Sequence, residues 1–221
     1  MHGLAEDLAE RRDRMVASQI ADRGVHSPGV LAAMRRVPRE RFVEPGMEAF
    51  AYDDAPLPIG EHQTISQPYI VAAMIEAAEV GPQDDVLEVG AGSGYATAVL
   101  SRIAAHVCAI ERHEVLAQAA RRRLDALGYF NVDLIAGDGT LGWPARRTFD
   151  AILVSAAGPD VPVSLKLQLA PGGRLVMPVG DLDHQRLVKV TRLGPDRFDH
   201  EDIASVSFVP LIGVEGWDED D

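Results

Sequence analysis

A chain of 221 residues with 47% hydrophobic and 25% charged residues can bury a substantial core in one domain. Its formal net charge of −13 disfavours a polyanionic partner, and its one basic cluster, Arg121-Arg122-Arg123, falls on a predicted helix where such side chains are expected to face water. No apolar signal core opens the chain, no run approaches the ~20 apolar residues that span a bilayer, and the lone Cys108 cannot close an internal disulfide, so a cytoplasmic protein is expected without nucleic-acid or membrane partners.

Leu4 to Arg23 is predicted as an amphipathic helix, with Leu4, Leu8, Met15, Gln19 and Ile20 near one face and Gly24 as its stop. Ser27-Pro28 offers an N-cap and first-turn proline for a short helix ending before Pro38. Residues 38–60, rich in proline and glycine, are expected to be irregular. Pro68 opens a helix over Tyr69–Val80, closed by Gly81-Pro82. After residue 84 the pattern alternates. Strands are predicted at Val86–Val89, Val107–Ile110, Val132–Ala136, Phe149–Val154 and Arg174–Val179. Helices are predicted at Ala96–Ala104, Val115–Leu127 and Val163–Leu169, the last leading to a turn at Pro171-Gly172-Gly173. Arg186–Arg192 and Ile203–Leu211 are late strands. This order predicts one α/β domain: a parallel sheet covered on both faces, with helical N-terminal additions. Cys108, within the apolar run Val107–Ile110, is expected to be a small buried hydrophobe.

Glu88-Val89-Gly90-Ala91-Gly92-Ser93-Gly94 is the sharpest local signal. It joins a predicted strand to a predicted helix, where nucleotide-like ligands bind in a doubly wound sheet. Its spacing is GxGxG after an acid, not the GxGxxG of a dinucleotide fold. Glu88 would repel a pyrophosphate and suit a ligand with positive charge, such as the sulfonium and amino groups of S-adenosylmethionine. Glu111 ends the second strand, about 20 residues beyond the first glycine, where an acid can bind a ribose diol. Asp138, in Gly137-Asp138-Gly139, ends the third and is expected to reach an adenine edge. Each acid alone reads as a surface residue on a loop, but three at successive strand ends around one glycine loop point to a cofactor site. The small residues Ser155-Ala156-Ala157-Gly158, after the fourth strand, are expected either to border the cleft or to pack closely.

Several stretches carry a resemblance. Tyr52–Gly60, Gln63-Thr64-Ile65-Ser66-Gln67-Pro68 and Val86–Tyr95 are followed by Ile110-Glu111-Arg112, Gly137-Asp138-Gly139, Phe149–Ile152 and Pro171–Leu175. Over nearly its whole length the sequence resembles protein-L-isoaspartate O-methyltransferases. The glycine loop is common to many methyltransferases, whereas Leu-Pro-Ile-Gly and Gln-Thr-Ile-Ser-Gln-Pro are specific to this family. The resemblance implies a Rossmann-like methyltransferase fold and methylation, from S-adenosylmethionine, of the free α-carboxylate of L-isoaspartyl and D-aspartyl residues in damaged proteins. The ester then closes to a succinimide that reopens in part to aspartate. Residues 1–83 would supply helices and a substrate loop, 84–180 the cofactor core, and 181–221 late strands and an acidic tail, in a single domain acting as a monomer.

In that family Ser66 occupies the active-site serine position. The implied cofactor contacts are Gln63, Thr64, Ser66, Glu88, Gly90, Ala91, Gly92, Ser93, Gly94, Glu111, Arg112, Asp138 and Gly139. Substrate contacts are expected from His62, Thr64, Ile65, Ser66, Ala156 and Ala157. The segment Phe208–Gly213 should return over the cleft, Trp217 should pack, and Asp218–Asp221 should be a solvated end. One departure stands out: His62 lies where the family usually has glycine, and would be strained if that glycine holds positive φ.

A carboxylate nucleophile is already ionised, its pKa being roughly 3.5, so no general base is needed. The task is to desolvate and aim it, and a neutral hydroxyl holds it without quenching the charge that attacks. Ser66 suits that role, and a helix N-cap is its ordinary alternative. Other readings remain open: a methyltransferase for an aspartate of a biosynthetic peptide, or an S-adenosylmethionine-binding protein that no longer turns over. Nucleic-acid methylation is disfavoured by the charge and by the absence of an Asn/Asp-Pro-Pro-Tyr motif after the fourth strand.

Overall fold

Between residues 85 and 154, near-continuous apolar runs build strands that are buried on both faces. These are β3 (Asp85–Val89), β4 (His106–Glu111) and β6 (Phe149–Val154), flanked by β5 (Val132–Ala136) and β7 (Leu169–Gly180). The computed structural model describes residues 2–181 and 183–219, with side chains from Leu8 onward. With β8 (Gln185–Gly194) and β9 (Arg197–Val206), the sheet runs β5-β4-β3-β6-β7-β8-β9. Pairs up to β6/β7 are parallel, and β7/β8 and β8/β9 are antiparallel. The strand order therefore reverses between β3 and β6, and the crevice beyond their carboxyl ends is where such sheets bind ligands.

Alternate residues of these strands feed two apolar clusters on opposite faces. Val86, Val107, Ala151 and Val176 join the cluster that α2 (Pro28–Arg36), α3 (Pro68–Ala77), α4 (Tyr95–Ser101) and α5 (Glu114–Ala126) cover. Leu87, Cys108, Ile152 and Leu175 join the other, under α6 (Val163–Leu167) and the C-terminal segment. Cys108 is fully buried, as expected.

The N-terminal helix is less regular than its periodicity suggests. α1 (His2–Arg14) passes into a π turn at Met15–Ile20 and a 3₁₀ turn at Ala21–Arg23, stopped by Gly24 at φ 99°. Met15, Val16 and Ile20 are buried, while the side chain of Leu4 lies outside the described residues. Ser27 caps α2, accepting from the Val30 N–H at 3.4 Å.

Three departures follow from local chemistry. The stretch before α3 is a hairpin, β1 (Leu57–Gly60) with β2 (Gln63–Ile65), and Leu57, Ile59 and Ile65 are buried. β7 begins at Leu169, not Arg174: Pro171–Gly173 loop out between Leu169, paired with Phe149, and Arg174, paired with Ala151. α6 is correspondingly short, ending at Leu167. β9 ends at Val206, so Phe208–Leu211 is a separate segment that bridges Ala157.

Candidate active site

Gly90 (φ 85°) and Gly92 (φ 52°) turn the chain sharply after β3, in a region closed to most side chains. The Gly90 N–H donates to the Ile110 carbonyl at 2.8 Å, docking the loop on β4. Glu111 fixes it further: Oε2 accepts from the Gly92 N–H at 2.8 Å and Oε1 from the His113 N–H at 2.9 Å. Arg123 donates to the Ser93 carbonyl at 2.6 Å, and Arg121 to that of Leu134 at 2.6 Å. Of the basic cluster only Arg122 is exposed, which corrects the expectation that all three face water.

Three cavities meet at this crevice. The first is lined by Gln63 and Thr64 of β2, Gly90, Gly92, Glu111–His113, Gly139, Ser155-Ala156 and Val209–Ile212. The second lies beneath the loop, among Ile65, Ser66, Glu88, Ala91, Ser93 and Tyr95. The third is a groove of about 670 Å³ between Ser66–Ile70 and Ala204–Val209. Thr64 and Ser155 line all three, and Ser66 the second and third.

Glu88 is buried at the floor of the second cavity. Thr97 Oγ1 donates to its Oε2 at 2.5 Å, while Oε1 has no hydrogen-bond partner among the described residues. Burial, reinforced by the nearby charge of Glu111 and opposed by the Thr97 hydrogen bond, pushes its pKa up to about 7. A buried carboxylate oxygen without a donor is costly alone and suited to a cation. The Ser93 hydroxyl in the same cavity is likewise buried without a partner among the described residues.

The family model for protein-L-isoaspartate(D-aspartate) O-methyltransferase matches residues 10–216. The chain belongs to that family. A protein-L-isoaspartate O-methyltransferase of Rhodopseudomonas palustris is 59% identical over 92% of this chain and 94% of its own. One from Protochlamydia amoebophila is 52% identical over 92% and 97%. A solved protein-L-isoaspartate O-methyltransferase superposes at TM-score 0.84 with 28% identity, covering 93% of this chain and 67% of that one. A Plasmodium falciparum structure described as of this kind, in complex with S-adenosyl-L-homocysteine, shares the fold at TM-score 0.79 and 23% identity, over 91% of this chain and 98% of that one.

Within this protein-L-isoaspartate O-methyltransferase family member, the expected site residues divide. Gln63, Thr64, Gly90, Gly92, Glu111, Arg112, Gly139 and Ala156 line the first cavity, and Ile65, Ser66, Glu88, Ala91 and Ser93 the second. Gly94 instead caps α4 at φ 86°. Asp138 does not line the three cavities: Oδ1 accepts from the Thr140 N–H at 2.9 Å and hydroxyl at 2.7 Å, and Oδ2 from the Val214 N–H at 2.9 Å. Ala157 is also occupied structurally. Its N–H donates to Val209 and its carbonyl accepts from Leu211, both at 2.8 Å, and from Trp217 Nε1 at 3.0 Å.

His62 sits exposed at the hairpin tip, outside all three cavities. Glu61 (φ 50°) and His62 (φ 56°) form a two-residue turn of positive φ, so the position does have a glycine-like conformation. The N-cap of α3 is Gln67, and Ser66 makes no hydrogen bond among the described residues, so the cap alternative fails. The acidic tail is not simply solvated, because Glu219 pairs with Arg112 at the cleft; Asp220 and Asp221 lie outside the described residues. His113 also lines the first cavity, and its only signal in the sequence is its place after Glu111-Arg112.

Proposed function

We propose that this chain transfers a methyl group from S-adenosylmethionine to the free α-carboxylate of isoaspartyl, and D-aspartyl, residues in proteins and peptides. The observation that carries it is the buried, unpartnered Glu88 Oε1 in a cavity that joins a groove bearing Ser66 at Thr64 and Ser155. The residues present fit the cofactor. Glu88 would take its ammonium group, the first cavity its adenosyl part against Glu111 and Arg112, and the glycine loop would allow close approach of the backbone. When bound, it supplies an electrophilic methyl on a sulfonium.

The chain's own residues do the rest. Thr64 and Ser66 present neutral hydroxyls to a carboxylate entering from the groove. They orient it without the strong charge pairing that would lower its nucleophilicity, and positioning of this kind is worth on the order of 7–11 kcal/mol in favourable systems. The hairpin and Val209–Ile212 cover the first cavity from either side and keep water from the reacting atoms. The test is methyl transfer, from a labelled donor, to an isoaspartyl peptide and its aspartyl twin. Transfer to the isoaspartyl peptide alone is expected. Equal rates would remove the repair reading in favour of a general or biosynthetic carboxylate methyltransferase, and no transfer to either would favour a binding protein.

A further inference from the structure

We infer that Ser155 supplies a third carboxylate-binding hydroxyl, from a separate element than Thr64 and Ser66, where the cofactor cleft opens into the groove. This rests on the reading above. Ser155 follows Val154, the last paired residue of β6, and Val154 is in register with Val89, which precedes Gly90. It thus stands at the point where the strand order reverses. Its N–H donates to the Val89 carbonyl at 2.8 Å, so the backbone that carries it is part of the sheet and not a loose loop. A Cβ at Gly90 would come within 3.6 Å of the Ser155 Cβ; glycine leaves that side of the serine open.

Ser155 lines the cofactor cleft, the cavity beneath the loop and the groove, and only Thr64 does the same. Its hydroxyl makes no hydrogen bond among the described residues. The groove wall offers one cation among the described residues, and it is already engaged. Arg23 is the only charged residue among the described residues lining it. Its guanidinium is paired with Asp54 at 2.7 Å and stacked 3.6 Å from the Tyr69 ring centre. The Gln67 amide is engaged as well, donating to the Asp54 carbonyl at 3.2 Å, so hydroxyls are the donors left for an anion there.

The chemistry explains why donors on two elements are useful. Hydroxyls on the single Thr64–Ser66 segment hold the carboxylate from one side and leave it free to swing about that side. Another, from the residue after β6, fixes the carboxylate plane and with it the direction of the attacking lone pair. In the transfer a C–O bond forms as the methyl–sulfur bond breaks, the sulfonium becomes a neutral thioether, the carboxylate becomes a neutral ester, and no proton moves.

Ser155→Ala, Ser155→Val and Ser155→Thr are compared with the wild type on an isoaspartyl peptide, alongside calorimetric affinity for S-adenosylhomocysteine. Loss of a hydrogen bond to an anion predicts a fall in kcat/KM of about tenfold or more for Ala and Val, carried mainly by kcat, with nucleoside affinity held within about twofold. Thr, nearly the shape of Val with the hydroxyl kept, retains most of the activity. Unchanged turnover in Ala, equal losses in Val and Thr, or a matching loss of S-adenosylhomocysteine affinity would each overturn the inference. If Val does not fold, the Ala and Thr pair decides. A wild type inert on the peptide would instead bring down the functional reading, and this inference with it.

Discussion

Glu88→Gln removes a charge that the cofactor site keeps buried with Oε1 unpartnered among the described residues. In the unliganded protein that charge is a burden. Its pKa rises from 4.5 to about 7 through burial. A folded-state pKa above the unfolded one means that stability is fully present below pH 4.5 and lost as pH rises through about 7. The shift corresponds to about 3 kcal/mol at alkaline pH. Ligand binding reverses the sign, because an ammonium group requires the ionised form. The apparent Kd then scales as one plus the ratio of protonated to ionised Glu88, so affinity falls about tenfold between about pH 8 and pH 6. Calorimetry with S-adenosylhomocysteine across that range, paired with thermal melts of the free protein, reads both effects. The variant should raise the Tm of the free protein at pH 8 and bring it closer to the wild type at pH 5. It should also weaken binding at pH 8 by about ten- to a hundredfold and flatten the pH slope. A wild-type affinity indifferent to pH, or a variant that binds as tightly at pH 8, would refute the argument.

Ser66→Ala should lower kcat about tenfold or more with Tm unchanged, since Ser66 caps nothing; a fall in Tm with turnover intact would restore the cap reading. His62→Gly should raise Tm by roughly 1–3 °C, because a side chain at φ 56° carries a steric cost of about 1 kcal/mol that glycine avoids, and a lower Tm would contradict this. Asp138→Ala should lower Tm by several degrees through loss of three hydrogen bonds and, by loosening the turn that bears Gly139 and the Val214 contact, also weaken S-adenosylhomocysteine. Weaker binding at an unchanged Tm would mean instead that the carboxylate meets the ligand directly.

The βα core was legible because its signals are local and agree with one another. Apolar runs of strand length alternate with helical periods, and a glycine loop follows the first strand with an acid before it. The hairpin was not legible. Its strands have four and three residues, one contains Pro58, and its turn is Glu61-His62 in place of the glycine-rich pair that marks such turns. Pro171–Gly173 reads as a turn by composition, yet it lies within β7 as a register irregularity, because the strand has already begun at Leu169 through pairing with Phe149. Glu111 and Asp138 were both legible as acids at strand ends. Only the folded chain separates them: Glu111 holds the glycine loop and still lines the cleft, whereas Asp138 spends both oxygens on Thr140 and Val214. Ser155 drew only a general expectation of bordering the cleft, since a lone serine after a strand carries no periodic or charge signal.

The pinned Asp138 bears on how this protein itself ages. Asp138-Gly139 is the only Asp-Gly step in the sequence, the pair in which a backbone nitrogen unhindered by a side chain can attack the preceding carboxyl and isomerise it. Ring closure there would have to move a carboxyl that three hydrogen bonds hold in place. The single asparagine, Asn131, is guarded in the same way: it precedes the β-branched Val132, accepts from the Ser101 hydroxyl, and donates to the carbonyls of Ser101, Ala104 and Ala105. A catalyst of isoaspartate repair built like this is poorly disposed to become its own substrate while folded, and becomes one most readily when it unfolds.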